Sequence, residues 1–407
     1  GTPSVGRVFL RAYEVTGDKF YLDAALDAAR ALCWGQLESG GWTYYIDFSP
    51  KWSQRWYRRA DKGILPLREA SGRRNMTTFD DNTTQSALRF LMALVQVIGS
   101  RDDERSQSIR DAMEYGLQGL LRAQYPNGAW PQCYDGRHYN PQNHPLKRAW
   151  LPKNWLRKPP KHRSYWLYYT FNDNAINDCI STLLEAYRQF GRYEYLEAAK
   201  SGGEFIIMAQ LPEPQPGWAQ QYDFDMKPAW ARKFEPPALC SAVTSRNIRT
   251  LVDLYLATGD EKYLKPIPAA IAWLERSQIA PNLWARFYEL GTNRPLYFNR
   301  KYELVYTDDD LPTHYSFKGS YGVRSNIAYY REVISLGRDK YLQRRKEMRS
   351  SKALRRRAVS IKERVRRIIA SLDEKGRWVD DGWITTSRFI SNVRTLCDYI
   401  EGMHATH

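Results

Sequence analysis

One pattern recurs along this chain of 407 residues and restricts its fold more than any other feature. Each copy has an apolar helix, a short turn containing glycine, a second helix, and then a loop that contains tryptophan. The turn glycines are Gly17, Gly99, Gly191 and Gly259, and the loop tryptophans are Trp42, Trp130, Trp218 and Trp284. A partial fifth copy ends at Gly376-Arg377-Trp378. Apolar residues spaced at about 3.6 residues, as at Leu251, Leu254 and Tyr255, predict helices in these copies.

The turns between the paired helices are short, so each copy is predicted to be an antiparallel helical hairpin. Such hairpins bury their apolar faces only by stacking on neighbouring copies. Both an open solenoid and a closed toroid would meet that requirement. The loops between copies are long, aromatic and rich in Asp, Arg and Asn, which favours a toroid with the loops around one mouth. We therefore predict an all-α fold, an (α/α) toroid or incomplete α/α barrel of repeated helical hairpins with long irregular loops lining one face.

Two stretches, 132–166 and 285–322, interrupt the repeat and are predicted to be irregular loops. Residues 1–337 are expected to form the toroidal domain, and 338–407 a basic helical extension that packs on it.

Most of the net positive charge of the chain lies in one segment. Residues 338–367 include 14 basic and 3 acidic residues, a net charge of +11 out of +16 for the chain. A partner such as nucleic acid or a membrane surface would fit this segment, and so would a pair of solvated surface helices. Tyr341 is its only aromatic residue, which disfavours base stacking, so we expect solvated helices and no nucleic-acid partner.

Several classes of protein are excluded by composition. No apolar run approaches the roughly 20 residues of a membrane span. The five cysteines form no CxxC pair and the six histidines no HExxH pattern, which disfavours a zinc site. The sequence leaves open whether the cysteines form one or two disulfide bonds. No signal peptide is visible at Gly1, so the location cannot be inferred from a targeting segment.

Two near-copies of a short polar segment are the strongest indication of function. The frame Thr-Phe-Asx-Asp-Asn begins at Thr78 and again at Thr170, each time before an apolar helix. If the two helix starts face one another, the oxygens of Asp80, Asp81, Asn172 and Asp173 converge. Carboxylate and amide oxygens are the ligands that calcium (Ca2+) prefers. The alternative is that these residues only cap their helices.

Three loop clusters offer groups that suit an acidic sugar. They span 218–223, 228–237 and 284–295 and combine Trp and Tyr rings with amides and cations. Aromatic faces suit sugar rings, and Arg binds carboxylates through two hydrogen bonds. The alternative is that the tryptophans fill the core and the arginines pair with Glu235 and Glu289.

Four segments, 127–132, 169–175, 228–237 and 284–295, together resemble the family 10 polysaccharide lyases, which are pectate lyases built on an (α/α) toroid. The similarity extends from about residue 10 to residue 322. It implies Ca2+-assisted β-elimination on polygalacturonate or pectin, an acidic polysaccharide. It also implies a secreted or periplasmic enzyme, which we expect to be a monomer without a membrane span.

The resemblance assigns roles to individual residues. Asp80 and Asp173 match the family's Ca2+-binding aspartates, with Asp81 and Asn172 beside them as further candidate ligands. Arg232 occupies the position of the catalytic arginine, and Arg249 is a second candidate. The expected substrate-binding residues are Trp218, Gln221, Arg286, Tyr288, Arg294 and Lys318. An arginine that usually grips a substrate carboxylate late in the family's sequence is missing from 311–318, where His314 or Lys318 could replace it.

Two other functions remain open at this stage. A glycoside hydrolase on a similar toroid would use two carboxylates as its catalytic pair, and Asp80 with Asp173 could supply them. A non-catalytic or differently specific uronate-binding protein would use the same loops without cleaving the polymer.

Overall fold

The structure is a computed structural model that describes residues 1–161 and 164–405. Two of the residues predicted for the 132–166 loop and two of those predicted for the 338–407 extension lie outside the described residues. The α-helices are α1 (Thr2–Thr16), α2 (Lys19–Gly35), α3 (Pro50–Ser53), α4 (Leu67–Gly72), α5 (Thr83–Ile98), α6 (Glu104–Arg122), α7 (Ala175–Phe190), α8 (Tyr193–Ala209), α9 (Ser241–Thr258), α10 (Ile267–Arg276), α11 (Val323–Leu336), α12 (Arg338–Glu347), α13 (Ser351–Ala370) and α14 (Thr386–His404).

The predicted hairpins are confirmed: α1 pairs with α2, α5 with α6, α7 with α8, and α9 with α10. Gly17, Gly191 and Gly259 end the first helices of three pairs in the left-handed conformation, with φ of 72°, 69° and 78°. Glycine adopts this conformation without the steric cost that other residues carry. The first helices of successive pairs pack side by side, in the order α1, α5, α7, α9 and α11. This arrangement confirms the all-α toroid.

The repeated tryptophans are structural. Each indole N–H donates a hydrogen bond to a carbonyl near the end of the preceding second helix. The pairs are Trp42 with Leu32, Trp130 with Leu120, Trp218 with Ile206, Trp284 with Leu274 and Trp378 with Ile368, at 2.7–2.9 Å. The bond folds each loop back over its own hairpin and supplies a donor to a carbonyl at the end of the helix.

The glutamine that precedes three of these loops joins one repeat to the next. Gln124 donates from its side-chain amide to the carbonyls of Gly128 in its own loop and Ala198 in α8, both at 2.9 Å. Gln36 makes the equivalent pair of bonds to Gly40 and to Ala112 in α6. These bonds fix the spacing between neighbouring hairpins.

Short strands lie in the loops at the mouth of the ring. They are β1 (Thr77–Thr78), β2 (Cys133–Tyr134), β3 (Tyr169–Thr170), β4 (Gln221–Tyr222), β5 (Leu239–Cys240), β6 (Gln278–Ala280), β7 (Leu283–Ala285), β8 (Phe287–Tyr288), β9 (Pro295–Phe298), β10 (Leu304–Val305) and β11 (Lys318–Gly319). All their pairings are antiparallel: β1 with β2, β3 with β4, and the two larger sheets in the orders β10-β9-β8-β5 and β11-β7-β6. The prediction that 285–322 is irregular was therefore wrong in part, because that stretch supplies strands to both larger sheets.

The described part of the 132–166 segment is anchored to the loops around it. Ala149 donates from its backbone to the carbonyl of Met208 at 2.8 Å, and the Trp150 indole donates to the carbonyl of Asp225 at 3.0 Å. Arg157 forms an ion pair with Glu289, whose side chain is buried. The segment is thus a fixed part of the mouth.

The C-terminal helices pack on the ring. Helix α14 lies against both α13 and α1, with an ion pair between Arg11 and Glu401 and the rings of Phe9 and Phe389 5.6 Å apart. The predicted domain division falls at Gly337, in the turn between α11 and α12. All five cysteines are free thiols. Within the described ranges, no helix combines the length and apolar character needed to cross a bilayer.

Candidate functional site

The two near-identical segments fold into two equivalent turns that touch each other. Each segment runs from a short strand, β1 or β3, into a turn of 3-10 helix, Asp80–Asn82 or Asn172–Asn174. The last two residues of each turn are left-handed, with φ between 45° and 62°. Asp and Asn tolerate this conformation better than other residues that carry a side chain. By position, Asp80 therefore corresponds to Asn172, and Asp81 to Asp173.

Asp80 is a buried carboxylate with two neutral donors. Its Oδ2 accepts hydrogen bonds from the Tyr44 hydroxyl at 2.5 Å and from the Gln132 side-chain amide at 2.8 Å. Burial raises the pKa of Asp80 above its ordinary value, against the lowering effect of these two bonds. Tyr44 and Gln132 come from the loops after the first and second repeats, so the ring itself brings these donors to Asp80.

Asp173 lies close enough to the first turn for its charge to interact with those of Asp80 and Asp81. Burial, followed by the charges of Asp80 and Asp81, raises the pKa of Asp173 to about 7. Arg286 opposes this shift and Glu235 adds to it. Asp81 is exposed at the surface of the mouth. Three carboxylates thus gather at the junction of the two turns with too little positive charge to balance them.

The donor set fits a hard cation, although it is incomplete as a metal site. Asp80 Oδ1 and Asn172 Oδ1 occupy equivalent positions, and both are buried without a hydrogen-bond partner. A buried polar atom left unpaired is costly, and a divalent cation would satisfy both oxygens and relieve the repulsion between the carboxylates. No cluster of three or more His, Cys, Asp or Glu side chains in the described ranges has the geometry of a ready metal site. Asn172 and groups from outside the chain would have to complete the coordination.

Arg232 lies beside the carboxylates in a fixed ion pair. Its Nε and Nη2 donate to the two oxygens of Glu235, at 2.8 and 2.6 Å. Arg232 is exposed, whereas Glu235 is buried and also accepts a hydrogen bond from the Tyr315 hydroxyl at 3.0 Å. The hydrogen bonds to Glu235 raise the pKa of Arg232 further. In the protein without substrate, Arg232 is therefore a positively charged side chain that Glu235 fixes in place.

Arg286 is the second cation of the site and is less completely paired. Its guanidinium lies over the Tyr315 ring, 4.6 Å from the ring centre, and its Nε is buried without a hydrogen-bond partner. Its charge acts on that of Asp173. Strand pairing positions it, since its backbone N–H donates to the carbonyl of Phe317 and its carbonyl accepts from Ser241.

A cavity of about 500 Å³ opens beside the first turn. Asp81 lines it, together with the aromatic residues Tyr44, Tyr45 and Phe48, whose side chains are more than half exposed. Sugar rings pack well on exposed aromatic faces, so this cavity is a candidate subsite next to the carboxylates.

Three of the predicted substrate-binding residues are inside the core. Trp218, Gln221 and Tyr288 are each at most 1% exposed. Gln221 donates to the carbonyl of Trp230 at 2.7 Å, and the Tyr288 hydroxyl donates to the carbonyl of Ser277. The predicted direct contact of these three residues with a sugar was wrong. Their side chains are buried, and the hydrogen-bond donor of each side chain is already bonded to a backbone carbonyl.

Three other candidates lie apart from the carboxylates. Arg249, predicted as a second candidate for the catalytic residue, stacks on Tyr329 in a different cavity. Arg294 is exposed and stacks on Tyr306, 3.8 Å from the ring centre. Lys318 forms an ion pair with Asp308.

Sequence reasoning missed three groups that the structure places at the site, Tyr44, Gln132 and Tyr315, and it named Glu235 only as a possible partner of the arginines. Gln132 ends one of the repeated-loop segments, and Glu235 lies three residues after Arg232, so both carried a local signal. Tyr44 and Tyr315 had none, since only the closed ring brings them to their carboxylates.

Comparisons with known proteins agree with this fold. A family model described as pectic acid lyase matches residues 36–282. A mutant of a family 10 polysaccharide lyase from Cellvibrio cellulosa, in complex with trigalacturonic acid, has a TM-score of 0.52 at 20% identity, covering 76% of this chain and 95% of that chain. The family 10 polysaccharide lyase from the same organism has a TM-score of 0.53 at 20% identity, covering 79% and 94%. At this identity the two structures show a shared fold. Comparison with curated proteins found no match.

Proposed function

This chain belongs to the pectic acid lyase family and is a polysaccharide lyase, and we propose that it cleaves polygalacturonate by Ca2+-assisted β-elimination. The observation that carries the proposal is the junction of the two turns. There, three carboxylates and the unpaired amide oxygen of Asn172 lie beside two arginines, Arg232 and Arg286.

Asp80, Asp81 and Asp173 would hold Ca2+ together with Asn172 Oδ1. Ca2+ takes about six to eight oxygen ligands, more than these side chains offer, so water or the substrate would supply the rest. When bound, the cation neutralises a uronate carboxylate and thereby acidifies the proton on C5. The protein's own part is to keep the oxygens of the two turns together before the cation arrives.

The residues around the turns can orient the sugar. Arg286 has a buried Nε free to bind a uronate carboxylate, and Arg232 presents its remaining donors from an exposed position. Tyr44 and Tyr45 provide exposed faces for a neighbouring sugar ring. This combination selects a polymer with a carboxylate on each ring, and such a substrate supports a secreted or periplasmic location.

In the elimination, a base removes the C5 proton, the electron pair forms the C4–C5 double bond, and the C4–O bond breaks with its electrons leaving on oxygen. Arg232 is the proposed catalytic residue. Because Glu235 raises its pKa, proton removal by Arg232 requires the nearby cation and Arg286 to disfavour its protonated form in the substrate complex. The alternative role for Arg232 is a cation that grips the substrate carboxylate.

The direct test is an ultraviolet absorbance assay for 4,5-unsaturated products on polygalacturonate, pectin and alginate, with and without a chelator. We expect unsaturated products from polygalacturonate, loss of turnover in chelator, and recovery with added Ca2+. Circular dichroism of the same samples should show that the helices survive chelation. Full turnover in excess chelator would remove Ca2+ from the proposal.

The raised pKa of Asp173 also favours a second candidate, a hydrolase that uses Asp173 as general acid and Asp80 as its partner. The products distinguish the two reactions, because hydrolysis gives reducing ends without a double bond. Binding of polygalacturonate with neither product would instead identify a non-catalytic uronate-binding protein.

A further inference from the structure

A second cavity, of about 500 Å³, lies between helices α7, α9, α11 and α12. Three arginines line it, Arg188, Arg249 and Arg345, together with the rings of Tyr187 and Tyr329. The cavity is formed where the first helix of the basic C-terminal segment meets the ring.

This cavity is separate from the carboxylate site. Asp173 precedes α7 at the mouth of the ring, and Arg188 lies near the other end of that helix. Arg188 comes thirteen residues after Ala175, where the helix begins, which corresponds to about 20 Å along the helix axis. Of the cavity residues on α9, Arg249 lies at the middle of the helix, and Asp253 and Leu256 lie in the half that is remote from the mouth. One sugar cannot contact both places.

The positive charge in this cavity is not balanced from within. Arg188, Arg249 and Arg345 form no ion pair with any described residue, whereas the neighbouring Arg344 pairs with Glu332 at 2.8 Å. The one carboxylate of the cavity, Asp253, accepts a hydrogen bond from the Tyr329 hydroxyl at 2.7 Å. Arg249 stacks on the same Tyr329 ring, 4.7 Å from its centre. Three guanidinium groups therefore remain available to an anion.

We propose that this cavity is a second, non-catalytic binding site for an acidic polysaccharide. Guanidinium groups bind carboxylates through two hydrogen bonds, and the tyrosine faces beside them suit sugar rings. The choice of a polyuronate as ligand rests on the proposed function. A chain held here keeps the enzyme on its polymer while the carboxylate site at the mouth cleaves another stretch.

The basic helices extend the site beyond the cavity. Lys346, Arg349, Lys352 and Arg356 follow Arg345 along α12 and the start of α13, and all are exposed. These exposed positive charges attract an anionic polymer. Nucleic acid is less suited, because aromatic side chains for base stacking are confined to the cavity itself.

The test uses two arginines on the rim of the cavity that play no part at the carboxylate site. The double variant Arg188→Ser/Arg345→Ser is compared with Arg30→Ser/Arg101→Ser, which removes the same charge from exposed positions that make no ion pair with described residues. Binding is measured by co-sedimentation with insoluble polygalacturonate in chelator, where the proposed cleavage is silent. Turnover is measured separately on trigalacturonate with Ca2+, since a trimer is too short to span both sites.

We expect the cavity variant to bind the polymer at least about tenfold more weakly, because it loses two charge-assisted contacts with the carboxylates. Turnover of the trimer and binding by the control variant should stay unchanged. Equal binding by the two variants, or displacement of the polymer by duplex DNA at matched charge, would overturn the proposal. If no uronate is cleaved but polymer binding still depends on Arg188 and Arg345, the proposed function fails and this second site stands.

Discussion

At the scale of single residues, the candidate site consists of charges that are fixed but not neutralised. Asp80 and Asn172 each keep a buried oxygen without a partner, and Arg286 keeps a buried nitrogen without one. A buried polar atom without a protein partner calls for another one, such as a ligand or an ordered water. The residue-scale predictions therefore follow from removing one of these charges at a time.

The first concerns pH and Asp173. Its pKa in the folded protein, about 7, lies above its ordinary value, so the folded state binds this proton more tightly than the unfolded state. The free energy of unfolding without Ca2+ should fall as pH rises between about 4 and 7, by up to about 4 kcal/mol. Asp173→Asn should flatten this dependence, whereas Asp102→Asn, an exposed control, should not.

Saturating Ca2+ should also flatten the pH dependence of stability, since the cation competes with the proton. Chemical unfolding at a series of pH values provides the measurement, and an unchanged slope in Asp173→Asn would refute the assignment.

The second concerns Arg232 and Glu235. Arg232→Lys should lower kcat roughly 10- to 100-fold at saturating Ca2+, because lysine lacks the planar fork that Glu235 holds. Glu235→Gln removes the charge that raises the pKa of Arg232, so the pH–kcat profile should move to lower pH if Arg232 removes the proton. A raised KM with an unmoved profile would show instead that Arg232 only binds the substrate.

The third separates the two loop arginines. Arg286→Gln should lower kcat/KM on polygalacturonate by roughly 10- to 100-fold through the loss of one charge-assisted contact. Arg294→Ala is the matched control, because Arg294 stacks on Tyr306 away from the carboxylates. Melting temperatures of both variants should be recorded. Full activity in Arg286→Gln, or an equal loss in Arg294→Ala, would contradict the predicted difference between the two arginines.

At the scale of elements, the repeating unit is a hairpin together with the loop that folds back over it. The tryptophan of that loop closes onto its own hairpin, and the glutamine before it reaches the next one. The loops at the mouth are therefore held by the same bonds that set the spacing of the helices. This is why long segments with little secondary structure can position Gln132 and Asp80 within hydrogen-bond distance.

A fourth prediction tests this closure. Trp130→Phe keeps an aromatic ring but leaves the carbonyl of Leu120 without its donor in a buried position. The free energy of unfolding should fall by roughly 1–3 kcal/mol. Trp383→Phe, at a position that is 77% exposed, is the control and should change little. Chemical denaturation of the two variants gives the comparison, and equal stability would show that the indole bond adds nothing.

At the scale of the whole molecule, the last helix completes the packing of the first. Helix α14 contacts α1 and lies so close to α13 that a Cβ at Gly402 would be 2.4 Å from the carbonyl oxygen of Leu354. The N-terminal and C-terminal helices thus stabilise one another.

The fifth prediction follows from this close approach. Gly402→Ala should push α14 away from α13 and lower the free energy of unfolding by roughly 1–3 kcal/mol, although alanine is the better helix former. Gly72→Ala, at a helical position with open space around it, is the control. Thermal unfolding followed by circular dichroism should show a loss for the first variant alone. A Gly402→Ala protein as stable as the parent would mean that the helices separate without cost.

The sequence alone determined the features that depend on neighbouring residues. Periodic apolar residues and turn glycines define the hairpins, and Asx-Asp-Asn frames define the two left-handed turns, because both follow from local backbone preferences. The pairing of Arg232 with Glu235 is also local, across three residues.

The tertiary structure decided which side chains face the mouth. Trp218 and Tyr288 carry the same chemistry as Tyr44, yet they are buried and Tyr44 is exposed beside Asp80. Burial depends on which hairpins stack on one another, and those long-range contacts leave no mark in the spacing of residues along the chain.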